Sequence, residues 1–203
     1  MKKMKLALLA FVGFALSFGA TAQPIHDNAV IPLGVTLNSI LRLNVVTGGN
    51  IEFVFNSISD YESGLSGLPY TTNFEISASQ NWDLVLGAED AALQGEDGST
   101  IDLDNVGLYI ETAAGNVHGW ATEVSSDYTA VGSAADLPAF SADEEFIAST
   151  ANGNGGDRTS NSFFIYWRCG TGEGDMNGSS FIDQTVDEGR YSTNVFLQLQ
   201  IAD

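Results

Sequence analysis

Leu33-Gly34-Val35-Thr36-Leu37-Asn38-Ser39-Ile40-Leu41-Arg42-Leu43-Asn44-Val45-Val46, then Thr47-Gly48-Gly49-Asn50, then Ile51-Glu52-Phe53-Val54-Phe55, is the stretch that decides the fold. Leu33, Val35, Leu37, Leu41, Leu43 and Val45 hold the odd positions, while Gly34, Thr36, Asn38, Arg42 and Asn44 hold even ones. Apolar against polar at period two is a strand with one buried face. Gly48-Gly49 supplies the backbone freedom a tight turn requires, and Ile51, Phe53 and Phe55 resume the alternation. The expectation is a long strand, a turn and a second strand, forming a hairpin.

Working outward, the same period recurs. Phe74, Ile76 and Ala78 alternate with Asn73, Glu75 and Ser77, and after Gln80-Asn81 come Trp82, Leu84, Leu86 and Ala88, which reads as a second hairpin. Val106, Leu108 and Ile110 form a strand, Ala114-Gly115-Asn116 a turn, and residues 117–124 its expected partner. Phe163, Ile165, Trp167 and Cys169 share one face of an apolar strand, and Val195, Leu197, Leu199 and Ile201 close the chain. Pairing the first and last strands would close the domain economically. Glu89–Asp104, Asn152–Asp157 and Gly170–Ser180 read as loops from their Gly, Ser, Asn and Asp content. Helix is expected only as single turns, at Ser59-Asp60-Tyr61-Glu62 ahead of Gly64 and at Ser141-Ala142-Asp143-Glu144 running into Phe146 and Ile147. The fold class is therefore all-β: a single antiparallel β-sandwich, immunoglobulin-like or pilin-like, of about eight or nine strands.

The ends of the stretch define the domain plan. Lys2, Lys3 and Lys5 precede the apolar run Leu6–Phe18, and Gly19-Ala20-Thr21-Ala22 offers small residues for cleavage before Gln23. Residues 1–22 read as a signal peptide, too short in its apolar core for a membrane span. A single domain over 23–203 follows, led by an arm at 23–37, and the protein is expected to be secreted or displayed at a cell surface. Pro32 cannot donate to a ladder, so the arm is an edge or leading segment. Cleavage would remove every lysine, leaving four arginines against 26 acids, a difference of −22. Such a charge repels nucleic acid and anionic membrane, and membrane insertion is not expected after the signal is removed. Cys169 is the only cysteine, so an intramolecular disulfide is ruled out and a buried thiol is the expected reading.

Motifs for chemistry are sparse. A Gly-x-Ser-x-Gly elbow is missing, and the only histidines are His26 and His118. Gly170-Thr171-Gly172-Glu173-Gly174 carries an acid where a phosphate would sit. A glycosidase needs two carboxylates, and Glu89, Asp90, Asp102 and Asp104 are available, but close acid pairs arise by chance in so acidic a chain. No catalytic residue and no certain cofactor is assigned. Calcium has two candidate oxygen-ligand groups: Asp97, Asp102 and Asp104 around Gly98, and Asp175, Asn177 and Asp183 around Gly178. Ordinary Asx turns explain both loops without a metal. Trp82 and Trp167 fall in phase with apolar neighbours and belong to the core. Trp120, sharing a face with His118 and near Tyr109, is the candidate platform for a sugar ring. Core or edge packing is the commoner explanation for such a residue.

The run Ile40–Val46, the Gly48–Phe53 segment and Asn81-Trp82-Asp83 resemble small secreted β-sandwich proteins of Gram-negative bacteria, in plan like pilin, spore-coat-U or WxL-type surface domains. The resemblance implies an extracellular role and transfers no catalytic residues. Three functions follow as expectations. The first is a non-enzymatic structural subunit, a filament or coat protein that self-associates by strand addition through Val30, Ile31, Leu33, Val35 and Leu37. The second is an adhesin module for an extracellular glycan or other polymer, and the third a carbohydrate-active enzyme.

Overall fold

The computed structural model of the protein describes residues 29–112, 120–121, 135–136, 145–149 and 153–202. The chain divides after Leu37, and residues 38–203 make up one unit. Its regular secondary structure, among the described residues, is almost wholly antiparallel β: β1 (Leu41–Thr47), β2 (Thr71–Ala78), β3 (Trp82–Ala88), β4 (Ala92–Gly95), β5 (Thr100–Asp102), β6 (Val106–Thr112), β7 (Trp120–Ala121), β8 (Ala135–Asp136), β9 (Glu145–Ser149), β10 (Ser162–Cys169), β11 (Tyr191–Ser192) and β12 (Val195–Ile201). They form a five-stranded sheet in the order β1-β2-β10-β6-β8, a four-stranded sheet β12-β3-β9-β7 and a small sheet β11-β4-β5. The expected all-β, sandwich-like fold is present. The strands beyond the expected eight or nine are short, several of them only two residues long.

One core joins the sheets. Period two turns Phe74 and Ile76 of β2, Leu108 and Ile110 of β6, and Phe163 and Ile165 of β10 inward, and all are at most 2% exposed. Phe163 stacks on Phe74 with ring centroids 5.1 Å apart and meets Trp82 of the four-stranded sheet edge-on at 5.9 Å. Trp82 and Trp167 are both buried, as their phase implies. The Trp167 indole N–H donates to Thr72 Oγ1 (2.9 Å), whose hydroxyl in turn donates to the Gly48 carbonyl (2.6 Å). That chain of bonds holds the turn after β1 against the start of β2. Gly48 has φ +67°, and a Cβ there would run into the Thr71 carbonyl, so only glycine fits.

The pairings depart from expectation in several places. The run that opens the domain is not a hairpin: β1 begins at Leu41 rather than Leu33 and pairs with β2, and Ile51–Phe55 joins no ladder. Its alternation survives as half-buried Ile51, Phe53 and Phe55 packed against the core, with Phe53 over Tyr70 and Phe55 on Phe181. β2 and β3 are not a hairpin either, since they belong to different sheets and Gln80-Asn81 is a corner between them. β6 pairs with β10 and β8, while the described part of residues 117–124, β7, pairs with β9. First and last strands do not pair, each ending a different sheet. Phe146 and Ile147 lie in strand β9, not a helical turn, and residues 141–144 are outside the described set. Within Glu89–Asp104 the chain forms the β4–β5 hairpin.

Helix α1 (Ile58–Ser63) is the expected single turn of helix, but its cap sits two residues earlier than the Ser59 reading. Ser57 is the N-cap, and Asp60 completes the capping box by accepting from the main-chain N–H groups of Asn56 (2.8 Å) and Ser57 (2.9 Å). Those bonds, the Asn56 one first, hold the Asp60 carboxyl below its ordinary value. Cys169 is buried, and burial pushes its thiol up to about 12. The thiolate is the reactive form. A thiol reagent at about pH 8 is therefore expected to leave the folded protein unlabelled and to label it fully in denaturant. Rapid labelling of the native protein would show that the strand around Cys169 opens.

Candidate functional site

Three surfaces carry the residues singled out from the sequence. The first is the arm. Residues 29–40 form no regular secondary structure, and Val30, Ile31, Leu33, Val35 and Leu37 are 79–92% exposed. An isolated exposed apolar residue is ordinary, but five within eight positions form an unburied face. Ala29–Leu41 also carries no charge, in a chain whose formal net charge is −19.

The second surface is the outer face of the five-stranded sheet. Inward-facing residues of β6 and β10 alternate with Tyr109, Glu111, Phe164, Tyr166 and Arg168. Tyr109 lies opposite Tyr166 in the ladder, and their rings stack at 4.6 Å. Phe164 extends the row beyond Tyr166, and the Arg168 guanidinium lies 5.3 Å from the Tyr109 ring. Arg168 also pairs with Glu173. Desolvation first, then the Glu111 charge, raises the Tyr109 hydroxyl above its ordinary value, with Arg168 opposing. Tyr166 is raised by desolvation and by its hydrogen bond with Glu111. On the same sheet, Arg42, Asn44, Glu75 and Ser77 line a shallow recess with Arg158.

Trp120 is in β7 of the four-stranded sheet, so Tyr109 and Trp120 occupy different sheets rather than neighbouring strands. His118 and His26 lie outside the described residues. Tyr166 and Phe164 are not among the residues the sequence singles out, because the inward residues dominate the β10 run. Their alternation with Phe163, Ile165 and Trp167 was the available signal.

The third surface is the acidic loops. Asp97 closes the β4–β5 turn, accepting from the Ser99 N–H (2.9 Å) and hydroxyl (2.5 Å), and these bonds lower its carboxyl. Asp104 and Asn177, one from each candidate calcium group, do come together: the Asn177 N–H donates to the Asp104 carbonyl (2.8 Å) and its side-chain amide to Asp104 Oδ1 (3.4 Å). Buried Asn105 donates to Asp104 Oδ1 and to the Asp102 carbonyl, and accepts from Gln184 (2.7 Å). Asp183 accepts from Ser180, and Asp175 is exposed in the turn after Glu173. Asp97 is held apart in its own hairpin. The partners these carboxylates have are amides, hydroxyls and main-chain N–H groups, which is how Asx-rich loops are tied together without a metal. Among the described residues, no group of three His, Cys, Asp or Glu side chains converges.

The fold defines the class: an all-β, sandwich-like protein with an exposed apolar leading segment. No protein-family model matches the chain, and no curated protein matches it in sequence. Among the described residues no helix is long and apolar enough to cross a membrane.

Proposed function

We propose that this protein is a non-enzymatic structural subunit, exported and displayed outside the cell, which self-associates by adding its leading arm as a strand to another copy. The exposure of Ile31, Leu33, Val35 and Leu37, four apolar residues at strand spacing, is the observation that carries this reading. Leaving such a face in water forgoes about 1.5–3 kcal/mol per large side chain relative to burial. A second chain can recover it through main-chain pairing that needs no special side chain. The double variant Leu33→Asp/Val35→Asp leaves the core untouched and is expected to remain folded by circular dichroism while losing assemblies by light scattering. Unchanged assembly in that variant would end the proposal.

The stacked Tyr109–Tyr166 row and, further along the same sheet, the Arg42–Arg158 recess favour a second reading, a module for an acidic glycan or similar polymer, with guanidinium groups meeting its carboxylates. Tyr166→Ala would then reduce retention on an acidic polysaccharide column about tenfold with the fold intact. Equal elution of variant and parent would dismiss it. Calcium, if the loops take it, would be held by Asp104 and its neighbours. Carbohydrate-active chemistry is the least supported reading, because among the described residues no carboxylate pair in a cleft argues for it.

A further inference from the structure

Tyr109 of β6 and Tyr166 of β10 stand directly opposite each other on adjacent inner strands of the five-stranded sheet. Their ring centroids are 4.6 Å apart and their planes differ by 16°. Neighbouring strands lie about 4.8 Å apart, so the two rings rise side by side from their strands and meet face to face. Both are half-buried on the outer face of the sheet, which leaves part of each ring open to a small reagent. The Arg168 guanidinium, 5.3 Å from the Tyr109 ring, and the hydrogen bond between Tyr166 and Glu111 hold the pair in place.

Among the described residues no other tyrosine stacks on a tyrosine. Tyr61 packs on Phe55 and Tyr70 on Phe53, rings that carry no hydroxyl, and Tyr191 donates its hydroxyl to the Asp187 carbonyl (2.9 Å). The commoner covalent closures are denied to the chain. Cys169 is its one cysteine, so no disulfide forms within it, and residues 6–203 contain no lysine from which an amide cross-link could be made. Two stacked phenols are a pair that oxidation can join.

We propose that Tyr109 and Tyr166 are a modification site, where a one-electron oxidant such as a peroxidase with hydrogen peroxide joins the two rings as dityrosine and ties β6 to β10. Each phenol gives up one electron and one proton and becomes a neutral phenoxyl radical. The radicals join through ring carbons ortho to the oxygens, forming one C–C bond. The hydrogen on each of those carbons then moves to the oxygen, which restores two phenols. One hydrogen peroxide takes up both electrons and both protons and leaves as two waters, so the protein loses two hydrogen atoms in all. Glu111 is placed to take the Tyr166 proton as the electron leaves. A phenol ordinarily holds its proton up to about pH 10, so a carboxylate bonded to it eases oxidation near neutrality. Groups already held in contact also react as though far more concentrated than free solutes, which favours this partner over a tyrosine of another copy.

Peroxidase and hydrogen peroxide acting on the protein from Gln23 onward test the proposal, read by denaturing gel, mass spectrometry and fluorescence. The expected product runs as a monomer, weighs two hydrogen atoms less than the parent, shows dityrosine emission and yields a cross-linked peptide pair containing Tyr109 and Tyr166. Tyr109→Phe and Tyr166→Phe keep the aromatic rings and the fold by circular dichroism, yet each should lose nearly all of the emission, whereas Tyr61→Phe should keep it. Glu111→Gln should slow the coupling several-fold. Because a cross-link narrows the unfolded ensemble, the treated parent should unfold at higher urea than the untreated one, with no such shift in treated Tyr166→Phe. Emission that survives in both single variants, or a product found only as cross-linked dimers, would overturn the proposal. So would a parent left unmodified while free tyrosine in the same tube is coupled. An undiminished rate in Glu111→Gln would overturn Glu111 as the proton acceptor.

Discussion

Phe163→Ala is expected to destabilise the protein by about 4 kcal/mol, the usual scale for removing a fully buried phenylalanine. Phe163 is 0% exposed and touches both large sheets, stacked on Phe74 within its own sheet and edge-on to Trp82 across the core. Truncation removes a ring from the plane where the layers meet, and neighbours fixed in strands on both sides collapse poorly into the gap. Domain stabilities are generally about 5–15 kcal/mol, so one substitution takes a large share. Urea unfolding checks it through a fall in midpoint at unchanged slope. A loss below about 1 kcal/mol would mean that the sheets do not meet through this ring.

Asn154→Ala is the second large effect, expected to cost about 3 kcal/mol from two lost bonds and the stranded groups they leave. Asn154 is 0% exposed and behaves as a piece of strand supplied by a side chain. Its Oδ1 accepts from the Trp82 N–H (2.9 Å), its Nδ2 donates to the Trp82 carbonyl (2.7 Å), and its own carbonyl accepts from the Trp82 indole N–H (2.9 Å). Asn161 donates to that same carbonyl (3.1 Å). Alanine leaves the Trp82 main-chain N–H and C=O unpaired in a dry interior, where each costs more than the bond itself was worth. Asn154→Asp keeps the acceptor but loses the donor and buries a charge, so it should be at least as damaging. Thermal unfolding of Asn154→Ala, Asn154→Asp and the parent compares them, and an Asn154→Ala variant as stable as the parent would contradict the clamp.

Asn154 also shows what a sequence conceals. In Asn152-Gly153-Asn154-Gly155-Gly156-Asp157 it reads as one turn residue among several in a flexible loop. Yet the loop returns to the core, with Gly156 bonded to Ala78 in both directions. A polar residue in a glycine-rich run looks the same whether its amide faces water or a strand end. Phe163, by contrast, was legible. Its period-two company with Ile165 and Trp167 places it inside, and the inward apolar residues of β2, β6 and β10 read the same way, whereas buried Thr72 carries no such signal. Periodicity names the face but not the neighbour. That is why the longer strands are legible while β2 and β3 read as a hairpin across a corner between sheets, and short β4, β5, β8, β9 and β11 are not legible as strands. The candidate site was partly legible: Leu33, Val35 and Leu37 were marked as an arm, but their strand pattern merged with that of β1. Nothing in the alternation tells an apolar residue that is buried in its own fold from one that the fold leaves exposed. That β1 and β12 each end a sheet depends on sheet order, which local sequence does not carry.

Light scattering with negative-stain microscopy on the protein from Gln23 onward, across a concentration series, tests the central claim most directly. Regular assemblies that grow with concentration and disappear in Leu33→Asp/Val35→Asp are the expected result. A monodisperse monomer at every concentration would contradict it, and the exposed arm would then need another partner.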